Sequence, residues 1–195
     1  GPGYNGETAT AMCGPMKLFD ANPFSPEGGK DIWGVNYVAN EETSFGGIPQ
    51  PNNFLLKDIT RWHEVIKNPE VPDVDWEAMA KKDMEEAKID RSQTAVMAPC
   101  QLSPFQQLMA FMGFNEGLCA MYEEPETVKE LLNYLADFVV PLVEKTLQYY
   151  KPDIFYILDD SATKTNPFIS VEMFRDILKP IYMKLSKPAN ERGIP

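Results

Sequence analysis

The chain is short of histidine, of cysteine and of positive charge. His63 is the only histidine, and the cysteines are Cys13, Cys100 and Cys119, an odd and widely spaced set. No Cys-x-x-Cys and no His-x-Cys occurs, so a zinc site would need ligands converging from distant parts of the sequence. The same spacing argues against a disulfide framework and favours a cytoplasmic setting. No apolar run approaches the roughly 18 residues of a membrane span. No basic leader precedes an apolar stretch, so neither membrane insertion nor a signal peptide is expected. The first residue is Gly rather than Met, from which we expect a processed N-terminus or a start inside a longer gene product. A phosphate-cradling Walker loop, a GxGxxG turn, a nucleophile elbow and a zincin HExxH are all missing.

Positive charge is scarce: 18 Lys and Arg stand against 29 Asp and Glu, for a net charge of −11. Nucleic acid is therefore excluded as a main partner, because phosphate binding needs clustered cations. A pocket for a polyanionic substrate is disfavoured too, unless the arginines Arg61, Arg91, Arg175 and Arg192 converge on it.

What remains is an ordinary globular composition, 44% hydrophobic over 195 residues, enough for one core. The most informative stretch runs from Pro152 to Ser161. Five apolar residues, Ile154 to Leu158, end in two adjacent carboxylates, Asp159 and Asp160. Such a run is too short for a helix core and suits a strand buried on both faces. Thr94 to Ala98 reads as a second strand of this kind, ending at Pro99-Cys100-Gln101.

Helical patterns surround both strands. Asp58 is placed to cap a short helix over 59–67, and Asp75 a longer one over 76–89. Ser103-Pro104 opens a helix that Gly113 breaks, and a further short helix runs to Tyr122. The longest helix runs from Glu124-Pro125 to Tyr150, with a kink expected at Pro141. Ser170 starts the last one, disturbed by Pro180 and Pro188. Residues 1–56 are rich in Gly, Pro and Asn and read as a loop- and hairpin-rich segment lying over the rest, with Asp31 to Val38 as its alternating strand. Residues 57–195 read as helices and the first βα units of a sheet.

Alternation of helix and strand predicts an α/β fold with a parallel sheet, whose chemistry sits at the carboxyl ends of its strands. A complete (β/α)8 TIM barrel usually takes about 250 residues. Glu191 to Pro195 reads as a helix stop leading towards another strand. The expectation is therefore the N-terminal part of such a barrel, with an incomplete sheet.

On this reading Asp159 and Asp160 are the candidate catalytic acids, one of them facing the barrel axis, with helix capping or turn chemistry as the structural alternative. Ser161 is placed to donate to a ligand, and Gln101 to hydrogen-bond one. Cys100 has no base near it in sequence and reads as a buried thiol. Met97, Met109, Met112 and Met121 with Phe105, Phe111 and Phe114 read as core, or as the wall of an apolar pocket. Asp31 and Trp33 would come from a covering loop.

The order of several segments resembles the uroporphyrinogen decarboxylase superfamily, which includes corrinoid-linked methyltransferases. The segments are Asp31-Ile32-Trp33-Gly34-Val35, then Met112-Gly113-Phe114-Asn115-Glu116-Gly117-Leu118, then Tyr122 to Val128. Asp159-Asp160 follows, with Phe168-Ile169-Ser170-Val171-Glu172-Met173-Phe174-Arg175 and Lys179-Pro180-Ile181-Tyr182. The resemblance implies a (β/α)8 barrel with its pocket at the strand C-termini. It matches Asp31 to the decarboxylases' substrate-binding aspartate and places Ser161 near their serine. The family tyrosine would fall near Phe111-Met112, the early arginine motif is missing, and the late histidine would lie past Pro195.

A methyltransferase acting on a small methylated substrate is thus the implied function. Uroporphyrinogen decarboxylase activity and a non-catalytic binding barrel are the alternatives. Zinc and a corrinoid-carrying partner are implied for the full-length protein, with no metal or cofactor held by this chain alone.

Overall fold

The computed structural model describes residues 10–23, 25–41, 43 and 46–195. Part of the segment 1–56 read as loop and hairpin therefore lies outside the described residues. Two small sheets and a helical layer make up the fold. The first sheet is wholly parallel, in the order β1 (Thr10–Met12), β5 (Ala95–Pro99), β6 (Ile154–Tyr156). The second is an antiparallel meander of β2 (Gly29–Lys30), β3 (Asn36–Val38) and β4 (Ile48–Pro49). The chain is thus α/β with an open three-stranded parallel sheet.

β1 lies in the segment read as loop and hairpin. Its pairing with β5, Thr10 against Ala95 and Met12 against Met97, makes it a full member of the parallel sheet. Asp31 to Val35, read as strand, instead forms a tight turn before β3. Asp31 accepts hydrogen bonds there from the N–H groups of Trp33 and Val35, both at 2.9 Å. An aspartate satisfying backbone donors two and four residues on holds a turn rather than a ladder.

Some of the helical segments start where a short polar side chain takes a free N–H group. Asp58 accepts from Thr60 N ahead of a 3₁₀ turn (Ile59–Arg61) and α1 (Trp62–Val65). Asp75 accepts from Ala78 N at the head of α2 (Trp76–Glu86). α3 (Pro104–Met112) and α4 (Phe114–Glu123) meet at Gly113, whose φ of 88° suits glycine and where a Cβ would come within 2.7 Å of the Phe54 ring.

α5 (Pro125–Tyr150) turns a continuous apolar stripe inwards, including Val128, Leu131, Leu132, Leu135, Val139 and Val143. Pro141, where a kink is expected, is exposed and leaves α5 a single helix. The helix stops at Lys151, in the left-handed region at φ 46°. Arg91 donates to the last carbonyls, those of Tyr150 and Lys151.

The last helical stretch begins with α6 (Val171–Met173), capped by Ser170, and ends with α7 (Lys179–Glu191). Between them Phe174–Leu178 forms a π turn, closed by Lys179 N donating to Phe174 O. The proline that follows has no N–H and would crowd the turn before it, so the ladder widens by one residue just ahead of it. α5 and α7 pack together over the main core, with α3 and α4 beside them.

The helices cover one face of the parallel sheet. Val96, Ala98 and Phe155 point into them and are buried. The paired residues on the other face, Met12, Met97 and Ile154, then Pro99 and Tyr156, are half-buried or exposed. Met12 is 55% and Tyr156 39% exposed. Past β6 lies Pro195, whose carbonyl accepts from Phe155 N at 2.8 Å on the edge away from β5.

Candidate functional site

Parallel strands deliver their carboxyl ends to one edge of the sheet. That edge holds Cys100 and Gln101 after β5, and Asp159, Asp160 and Ser161 after β6. α3 starts there as well. Its N-cap position is Ser103, but the Ser103 side chain makes no capping bond. Asp159 fills the role from the neighbouring strand. Its Oδ2 accepts from Phe105 N at 2.7 Å and its Oδ1 from Gln106 N at 2.9 Å. Tyr182, on α7, donates its hydroxyl to the same Oδ2 at 2.7 Å. A carboxylate at a helix N-terminus satisfies orphan donors and meets the positive end of the helix dipole.

Burial pushes the Asp159 carboxyl above its usual range, against the lowering pull of the two backbone N–H groups and Tyr182. Burial also raises the Tyr182 hydroxyl, beside the Asp159 charge. The second effect keeps the proton on the tyrosine at neutral pH, so Tyr182 donates and Asp159 accepts.

The twin acids therefore differ. From Phe155 onwards exposure alternates: Phe155, Ile157 and Asp159 are buried or half-buried, while Tyr156, Leu158 and Asp160 are exposed. This is the two-residue period of an extended chain carried past the end of β6. Asp159 lies on the helix side. Asp160 lies with Tyr156 and Leu158 on the uncovered side, with one 3.3 Å contact from Gln106 Nε2. Neither aspartate is in a salt bridge among the described residues.

Cys100 and Gln101, just past β5, are both half-buried, and Cys100 packs against the main core. Burial pushes the Cys100 thiol up to about 12, so it stays protonated at neutral pH and is no nucleophile. Gln101 follows Cys100 in the bend past the end of β5. Its Oε1 is buried with no hydrogen-bond partner. Ser161 is half-buried beside the Tyr182 hydroxyl.

Asp31 and Trp33 are held elsewhere. Asp31 Oδ2 accepts from Gln107 Nε2 at 2.8 Å, while Oδ1 serves its own turn. Burial raises the Asp31 carboxyl, opposed by these donors. Trp33 is 8% exposed, packs edge-on against Phe111 and donates Nε1 to Asn68. Asp31 thus ties the meander to α3, and Trp33 belongs to the core. Phe105, Phe111, Met109, Met112 and Met121 are core as well, whereas Met97 lies on the uncovered face.

α3 is the common support of the three acids: Asp159 binds its backbone, Asp160 meets Gln106 and Asp31 meets Gln107. Tyr182, Gln106 and Gln107 are the residues that sequence reasoning left without a role. The visible signal for Gln106 and Gln107 was a helix opening at Ser103-Pro104, immediately after a strand end, and that for Tyr182 its place in the segment Lys179-Pro180-Ile181-Tyr182.

The arginines do not gather at this edge. Arg61 pairs with Glu64 on α1, Arg91 with Asp153 at the opposite end of β6, and Arg192 donates to Pro188 O within α7's last turn. Arg175 is exposed in the π turn. Among the described residues no group of three or more His, Cys, Asp or Glu side chains is placed to hold a metal ion. Two open surface grooves lie elsewhere. One, of about 350 Å³, runs past Lys81, Met84 and Tyr149; the other, of about 400 Å³, past Tyr122, Met173 and Asp176. No described helix is long and apolar enough to cross a membrane. Compared with known proteins, the chain matches no family model, no curated protein and no solved structure.

Proposed function

We propose that this chain is the N-terminal part of a (β/α)8 barrel enzyme of the uroporphyrinogen decarboxylase superfamily. Its activity, on this reading, is to move a methyl group between a small methylated molecule and a corrinoid carried by a partner protein. The observation that carries the proposal is the uncovered sheet face. A parallel sheet is normally covered on both sides. Here helices cover one face, while the other presents Met12, Met97, Ile154 and Tyr156 with Asp160 at its carboxyl end. In a closed barrel such a face is the packed interior, and the strand ends are the active-site mouth. The bond from Phe155 N to Pro195 O supports the same reading, since it carries the strand order one step further round.

In this scheme Asp160 touches substrate, and Asp159 is a positioning residue that holds α3 against the mouth. Methyl transfer is preferred to decarboxylation because a substrate with many carboxylates would meet Asp160, with no arginine from the described residues to offset it. The described residues do not fit the zinc that the resemblance implies, so no step is assigned to a metal. The test is to assay the full-length gene product for methyl transfer to a cob(I)alamin acceptor, with and without Asp160→Asn. Turnover that falls at least about tenfold in the variant supports the assignment. Carbon dioxide release from a tetrapyrrole without methyl transfer would overturn it.

A further inference from the structure

The corner between α4 and α5 faces the start of the last helical stretch across the open groove of about 400 Å³. Its floor is apolar: Met121 and Ile177 line it and are each 1% exposed. Pro125 and Met173 add half-buried walls. Tyr122 also lines the groove, yet it is 79% exposed, the most exposed large apolar side chain among the described residues. An aromatic ring left in water beside an apolar recess gives a partner that covers both a place to bury surface.

The groove is negative. Glu172 and Asp176 line it. Lys129, on α5, bridges Asp176 and Glu126, at 2.8 Å to each. That bridge ties α5 to the π turn and keeps the groove in shape before anything binds. Three carboxylates thus stand against one ammonium, and Glu172 is in no salt bridge among the described residues. The exposed Glu123 and Glu124 follow Tyr122 in the chain, and Arg175 does not line the groove. Glu126 and Glu172 also suit the first turns of the helices they occupy. A helix end does not account for the apolar recess beside them.

Charge argues against a second copy as the occupant. The chain carries −11 in all, so two acidic grooves brought together would repel. Independently of the barrel reading, we infer that this groove docks a basic amphipathic segment of another protein. A large aliphatic side chain of that segment fills the recess over Ile177 and beside the Tyr122 ring. Lys or Arg residues flanking it meet Glu172 and Asp176.

The experiment titrates the full chain, with methyl-labelled methionine, with three fluorescent peptides of equal length. One is a Lys/Leu amphipathic helix, one replaces every Leu by Ser, and one replaces every Lys by Glu. Anisotropy reads affinity, and the Met173 methyl resonance reads the place, with Met12 on the sheet face as the control. The Lys/Leu peptide is expected to bind at least about tenfold more tightly than the other two and to shift Met173 while leaving Met12 unmoved. Tyr122→Ala and Glu172→Lys, both at exposed positions, are each expected to weaken it about tenfold. A Lys/Ser peptide that binds equally well, or Lys/Leu binding that ignores both substitutions, would reduce the effect to net charge and overturn the docking site. Equal binding of the Glu/Leu peptide would overturn the choice of a basic partner. A shift confined to Met12, or no binding, would overturn the inference outright and leave the barrel reading untouched.

Discussion

Replacing Asp159 and Asp160 one at a time separates two adjacent carboxylates that the sequence presents as equals. In Asp159→Ala, Phe105 N, Gln106 N and the Tyr182 hydroxyl all lose their acceptor. Loss of an N-cap costs about 1 kcal/mol, up to about 2. A hydroxyl bonded to a charged partner is worth about 1.5–3 kcal/mol. Some of this is offset, because burial already works against the Asp159 charge, as its raised carboxyl shows. The net expectation is about 2–4 kcal/mol of destabilisation. For a chain of this size that is roughly 5–15 °C in Tm. Asp160→Ala removes one long contact at an exposed position, so its stability change should stay within about 0.5 kcal/mol. Urea unfolding of the three proteins, followed by circular dichroism, measures both values. Equal losses in the two variants, or a neutral Asp159→Ala, would refute the division of labour.

Further outcomes follow from the same structure. Tyr182→Phe should cost about 1 kcal/mol in the same unfolding assay, because Asp159 keeps its two backbone donors. Gly113→Ala should cost at least about 1–2 kcal/mol, since an alanine there takes a left-handed φ and meets the Phe54 ring. Lys151→Gly should stabilise the chain by about 0.5 kcal/mol, relieving a left-handed lysine at the end of α5 while keeping the carbonyls that Arg91 holds. Asp31 and Asp159 should both titrate above the ordinary carboxylate value by carboxyl-carbon NMR. Because the folded form then binds these protons more readily than the unfolded form, their contribution to stability is fully present below the unfolded pKa. It is lost as pH rises through the folded values. Midpoints below the ordinary value would reverse that sign.

The parts of the fold legible in the sequence are those set by neighbours a few residues apart. Asp58, Asp75 and Ser170 cap the helices they precede, and the apolar runs at 94–98 and 154–158 became β5 and β6. Gly113 breaks the helix where its conformational freedom predicts. Long-range pairings were not legible. Thr10-Ala11-Met12 has no strand pattern of its own and gains its structure from the ladder with β5. Asp159 caps a helix 54 residues back, and Asp31 meets a side chain 76 residues away. Aspartate has the same local signature whether it holds a helix, a turn or a ligand. Only the alternation beyond β6 distinguishes Asp159 from Asp160, and that becomes visible once the helices are known to lie on one side.

The most direct measurement is a crystal structure of the full-length gene product. The account predicts further parallel strands continuing past Phe155 and closing a barrel. Met12, Met97 and Tyr156 would face its axis, with Asp160 at the mouth. A layer of helices packed directly on that face, leaving Asp160 outside any cavity, would contradict it.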